Sequence, residues 1–102
     1  MTDFPGLAAA WGGPGLVVLD VRRPDEWQSG HLDGALHIPF WELADRAGEV
    51  APGQVWVHCA SGFRASIGAS VLDRAGRDVV HVDDDWARAA RTGLPVTPAV
   101  TA

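Results

Sequence analysis

The sequence predicts one α/β domain, a central parallel sheet of four to five strands with helices on both faces. Two features lead there. Short, unbroken apolar runs recur at Leu16-Val17-Val18-Leu19, Val55-Trp56-Val57 and Val79-Val80-His81-Val82, and a strand without polar alternation is one covered on both faces. Segments of helical composition separate those runs, and strands alternating with helices build parallel sheets between helical layers. The 102 residues hold one hydrophobic core and are too few for two.

Taken in order, Phe4 to Trp11 forms a short helix, closed by the breakers Gly12-Gly13-Pro14-Gly15. The strand that follows ends at Asp20. Pro24 opens a short helix through Ser29, with proline in its first turn and Gly30 past its end. Gly34 to Pro39 is a brief strand stopped by proline, and Trp41 to Ala47 is helical up to Gly48. After the strand at 55–58 comes a long helix, Ala65 to Ala75. Ile67, Val71, Leu72 and Ala75 form its apolar face, and Gly76 caps it. Asp83-Asp84-Asp85 then gives an N-cap and an acidic first turn to a last helix over Trp86 to Thr92. The domain runs through residues 1–96, and 97–102 read as a disordered tail.

Composition narrows the function classes. A net charge of −5 and a pI near 5.1 argue against nucleic acid or an anionic membrane as partner. The single cysteine, Cys59, leaves no internal disulfide, and the expected location is a reducing cytoplasm. The first residues, with Asp3 and no basic stretch, lack the pattern of a signal peptide. No apolar run approaches the ~20 residues of a membrane span. The four histidines lack a metal-ligand spacing with Cys59, so neither a metal nor a cofactor is expected.

The chemistry converges on His58-Cys59-Ala60-Ser61-Gly62-Phe63-Arg64. Cys59 stands at the carboxyl end of a strand and opens the loop into a helix N-terminus. Such a terminus offers unpaired backbone N–H groups and a partial positive charge, which together hold anions. A cysteine placed there is a competent nucleophile. Arg64 adds a planar, permanently charged donor fork. The competing reading is a buried cysteine acting as a small hydrophobe; the polar, glycine-containing loop, the arginine five positions on and the helix that follows favour a site. Asp20, also at a strand's carboxyl end, falls on the same rim. Asp20 and Arg22 read as supporting residues: Asp20 orders the loop or pairs with Arg22 or Arg23, and Arg22 faces Glu26 at i,i+4. His58 points away from Cys59, since adjacent strand residues face opposite sides, and serves packing.

Four segments together resemble the rhodanese family: Leu19-Asp20-Val21-Arg22 with Glu26; Gly30-His31-Leu32-Asp33-Gly34-Ala35-Leu36-His37-Ile38-Pro39; Val57 through Ser66; and Gly93-Leu94-Pro95-Val96. The likeness spans about residues 16 to 96. It implies a rhodanese-like fold and a sulfurtransferase that takes sulfane sulfur from a small donor, thiosulfate or a persulfide, onto Cys59. The sulfur then passes to a thiol or cyanide acceptor, or to a partner protein. The resemblance also implies that backbone N–H groups from Ala60, Ser61, Gly62, Phe63 and Arg64 cradle the persulfide, with Arg64 holding an anionic donor. Four residues stand between Cys59 and Arg64, as in sulfurtransferases of this fold; the phosphatase-like and arsenate-reducing relatives have five.

The chain departs from the family in two places that bear on the donor. Asp83-Asp84-Asp85 occupies the place of a usual glycine pair, and Ala60 and Ser61 bring no positive charge to the loop. Both point away from thiosulfate as the physiological donor. A usual N-terminal strand is also expected to be missing. The alternatives are a non-catalytic or regulatory module, and a persulfide-presenting domain of a larger protein with a metallo-β-lactamase-fold partner.

Overall fold

The computed structural model describes residues 1–98. Its main sheet has four parallel strands in the order β3-β1-β4-β5, with β1 Leu16–Asp20, β3 Leu36–His37, β4 Gln54–His58 and β5 Val79–His81. A separate antiparallel pair joins β2 Gly30–Leu32 to β6 Val96–Pro98. The expected fold class holds, with four strands in the parallel sheet.

Alternation along the strands makes two cores, one per face. Val17, Leu19, Val55 and Val57 face one side and pack with Leu43 of helix α3 (Leu43–Arg46) and with Ala65 and Leu72 of helix α4 (Phe63–Arg74). Leu16, Val18 and Trp56 face the other and pack with Phe4 and Leu7 of helix α1 (Phe4–Ala10) and with Ala89 of a 3-10 segment over Trp86–Thr92. Phe4, Leu19, Val55, Val57 and Leu72 expose no surface; truncating such a leucine to alanine costs about 2–5 kcal/mol. Helix α2 (Pro24–Gln28) connects β1 to the small sheet.

Several expectations are corrected. Helix α4 begins at Phe63, two residues early, because Gly62 takes a left-handed φ of 95° that turns the loop straight into the helix. Its buried face is Ala65, Gly68 and Leu72, while Ile67 is exposed. Small residues win there because the helix lies close on the sheet: a β-carbon on Gly68 would sit 3.3 to 3.4 Å from Leu43, Val21 and Val57. The segment 86–92 is a 3-10 helix, and the Asp85 side chain caps nothing. Instead Asp84, buried, accepts from the Phe4 N–H at 3.1 Å and so serves the start of α1. Thr97 and Pro98 are not a tail: they pair with His31 and Gly30 in the small sheet, where Val96 packs on the second core. Residues 99–102 of the expected tail lie outside the described residues. Near the N-terminus, Thr2 forms one isolated parallel bridge with Val82.

Candidate active site

The register places Asp20 between His37 of β3 and His58 of β4. Cys59 follows directly, so the strand ends gather Asp20, His58 and Cys59 on one rim.

Cys59 is a free cysteine with no exposed surface. Its Sγ accepts the backbone N–H of Gly62 at 3.1 Å and of Ala65 at 3.2 Å. Of the expected cradle, Gly62 donates to the sulfur, and the second donor is Ala65, one residue beyond the predicted set. It belongs to the first turn of α4, whose N–H groups have no partner inside the helix; placing the helix start at Phe63 would have revealed it. The loop is braced from outside. Ala60 accepts from the Trp86 N–H at 2.7 Å, and the Gly62 carbonyl lies 2.8 Å from His81 Nε2. Phe63 is largely exposed, and Ser61 is exposed as well.

Arg64 does not offer a free fork. Its Nη1 and Nη2 donate to Glu26 Oε1 and Oε2 at 2.6 and 3.0 Å, a bidentate pair from α4 to α2. Glu26 therefore faces Arg64 and not Arg22, and Oε1 also accepts from the Arg23 N–H at 2.9 Å. The Arg64 hydrogen bonds, aided by that of Arg23, hold the Glu26 carboxyl down at about 2 against the opposing effect of its partial burial, and the same pair raises the Arg64 guanidinium. Glu26 is thus ionised at every physiological pH.

Arg22 spends its charge on Asp20. Nε and Nη2 donate to the carboxylate at 2.8 to 3.0 Å, the Arg22 N–H adds a bond of 2.9 Å, and Nη2 also reaches the Gly30 carbonyl at 2.6 Å. Both residues are buried, so the pair is a structural strut beneath the loop that ties β1 to β2. Arg22 also lies 4.0 Å over the Trp86 ring. His58 stacks on the same Trp86 at 5.4 Å and meets Phe4 edge-on. Both its ring nitrogens are buried without a hydrogen-bond partner, and Asp20 Oδ2 is 3.8 Å from Nε2. Burial holds His58 neutral, lowering it to about 4 although Asp20 pulls the other way. It fills the opposite face from Cys59 and takes no proton from it. Asp83 packs against Gly62, where a β-carbon would press on its carboxylate and lie 3.2 Å from its Cα. Among the described residues no group of three or more His, Cys, Asp and Glu side chains gathers to hold a metal ion.

Comparison with known proteins agrees with this architecture. The family model described as "Rhodanese-like domain" matches residues 6–91. The HTH-type transcriptional regulator Rv0324 of Mycobacterium tuberculosis is 34% identical over 84 residues, 79% of this chain and 37% of that protein. The putative sulfur carrier protein YrkF of Bacillus subtilis is 33% identical over 69 residues, 66% of this chain and 37% of its own length. The thiosulfate sulfurtransferase PspE of Escherichia coli is 30% identical over 65% of this chain and 64% of its own. The chain thus spans little more than a third of the first two relatives. Among solved structures, the rhodanese-like domain of the Anabaena protein Alr3790 superposes with a TM-score of 0.84 at 27% identity, covering 96% of this chain and 78% of that one. A rhodanese-related protein from Thermoplasma volcanium gives 0.82 at 26% identity over 93% and 94%.

Proposed function

The chain belongs to the rhodanese-like domain family, and from that premise we propose that it moves sulfane sulfur from a donor to a thiophilic acceptor through a persulfide on Cys59. The observation that carries the reading is the pair of backbone N–H groups, Gly62 and Ala65, aimed at Sγ from a loop and a helix first turn. Donors fixed in that way favour negative charge on sulfur and need no reorganisation when the charge moves outward by one atom.

In the first half-reaction the Cys59 thiolate attacks the outer sulfur of the donor. A new S–S bond forms, the donor's S–S bond breaks, and the leaving group departs with the electron pair, as sulfite from thiosulfate or as a thiolate from a persulfide. Cys59 then carries the persulfide. In the second half-reaction an acceptor such as cyanide or a thiol takes the terminal sulfur, and the Cys59 thiolate returns. Neutral, buried His58 packs on Phe4 and Trp86 on the opposite face from Cys59 and takes no part in either half-reaction. Asp20 and Arg22 tie the end of β1, the neighbour of the strand that carries the loop, to β2. A reducing compartment would keep Cys59 free for this cycle.

One observation favours a second reading. Cys59 exposes no surface, and a docking or regulatory module needs no access to it. Intact-mass measurement separates the two. Incubation with a sulfane donor adds one sulfur atom to the wild type and none to Cys59→Ser, and cyanide removes it as thiocyanate. A wild type that gains no sulfur and resists alkylation of Cys59 at neutral pH would overturn the sulfurtransferase reading. A Cys59→Ser protein that keeps its full biological role would support the module.

A further inference from the structure

We infer that Glu26 is a specificity-determining residue that closes the site to oxyanionic donors such as thiosulfate and leaves it to organic persulfides; this rests on the sulfurtransferase reading above. Arg64 is the cation carried by the loop, and both of its terminal nitrogens are engaged by the Glu26 carboxylate at 2.6 and 3.0 Å. Each partner of the pair is only 20% exposed, so solvent screens it incompletely. An incoming thiosulfate dianion meets a neutralised guanidinium. To gain Arg64 it must displace Glu26 and then lie beside an ionised carboxylate, because Glu26 keeps its charge throughout the physiological range.

Three other arginines of neighbouring segments are also paired: Arg22 with Asp20 in the interior and, with guanidinium groups at the surface, Arg23 with Asp25 and Arg88 with Asp84 at 3.1 Å. Asp83 adds a further carboxylate against Gly62 in the loop. The loop residues Ala60 and Ser61 contribute no charge. What remains for a donor is the loop's backbone N–H groups, of which Gly62 and Ala65 already hold Sγ, and the exposed apolar ring of Phe63. That surface suits a donor whose reacting end is sulfur on carbon: RS–SH gives its outer sulfur to the Cys59 thiolate, and RS− leaves with the electron pair. No sulfonate has to be held.

The test compares kcat/KM for thiosulfate and for glutathione persulfide, with cyanide as acceptor, in wild type, Glu26→Gln and Glu26→Ala. Loading of Cys59 is followed by intact mass and folding by thermal melting. The wild type is expected to prefer the persulfide, and each Glu26 variant to raise the thiosulfate-to-persulfide ratio by about tenfold or more, the size of one like charge removed from a partly buried site. The gain should appear in KM for thiosulfate and vanish in the double variant Glu26→Gln with Arg64→Met, since a merely structural change would not depend on Arg64. An unchanged or lower ratio in the folded Glu26 variants, or a wild type that uses thiosulfate as well as the persulfide, would overturn the inference while leaving the sulfurtransferase reading intact. Failure of both donors to load any of the proteins would overturn that reading itself.

Discussion

Asp83 lies against Gly62, where a β-carbon would meet the Asp83 carboxylate and sit 3.2 Å from its Cα, and Gly62 holds a φ of 95°. The glycine is thus required for its backbone conformation, and a side chain there would also push the Asp83 carboxylate aside. Gly62→Ala should cost about 1–3 kcal/mol from the left-handed conformation alone. It should also move the Gly62 N–H away from Sγ. The expected result is a lower urea midpoint together with loss of persulfide formation on Cys59 by intact mass. Full loading at unchanged stability would show that the loop tolerates another path.

Removing the Arg64 side chain has a different signature. Arg64→Ala leaves Glu26 ionised without its main partner, in a pair one-fifth exposed on each side. The expected cost is about 1 kcal/mol, in the range of partly screened ion pairs. The backbone donors to Sγ, at Gly62 and Ala65, are untouched. Persulfide loading from an organic donor should therefore survive in Arg64→Ala and be abolished in Cys59→Ser, as read by cyanide-dependent thiocyanate release.

The buried pair of Asp20 and Arg22 behaves as a unit. Asp20→Ala strands a guanidinium in the interior, which costs about 3–5 kcal/mol. Replacing both, as Asp20→Leu with Arg22→Met, should recover much of that loss because no charge stays unpaired. A double-mutant cycle from urea denaturation measures this, and additive losses would contradict it.

Stability should depend on pH through His58. The native state holds its neutral form, lowered to about 4 by burial, while the unfolded chain takes a proton near the ordinary value of about 6.5. Between those values the unfolded state binds more protons, so stability falls as pH drops from 6.5 towards 4. A tenfold difference in proton affinity between the two states is worth about 1.4 kcal/mol, which makes the full contribution on the order of 3 kcal/mol. Denaturation midpoints measured across that window should decline in the wild type and flatten in His58→Leu. Because neither ring nitrogen has a hydrogen bond to lose, that substitution should cost little at neutral pH.

Much of the site was legible from local pattern. An apolar run followed by Cys59, a glycine and an arginine reads as strand, loop and helix start, because each part depends on neighbouring residues alone. The misreadings share a cause. Ile67 is as apolar as Leu72, yet Gly68 faces the sheet, since the distance of approach between helix and sheet decides which residues fit. The aspartates at 83–85 read as a helix cap, but Asp84 reaches Phe4, 80 positions away in the chain.

What local chemistry could decide was the layered α/β plan and the place of Cys59 at a strand end before a helix. Hydrophobic period, turn residues and helix termini act over a few positions and are written directly in the chain. What only the folded molecule decided was who neutralises whom: Glu26 against Arg64 across 38 positions, Asp20 against Arg22 beneath the loop, Asp83 against Gly62. Those pairings depend on how α2, α4 and the strand ends are packed, and the packing is a property of the whole core. A charge that looks free in the sequence is therefore answered in the fold.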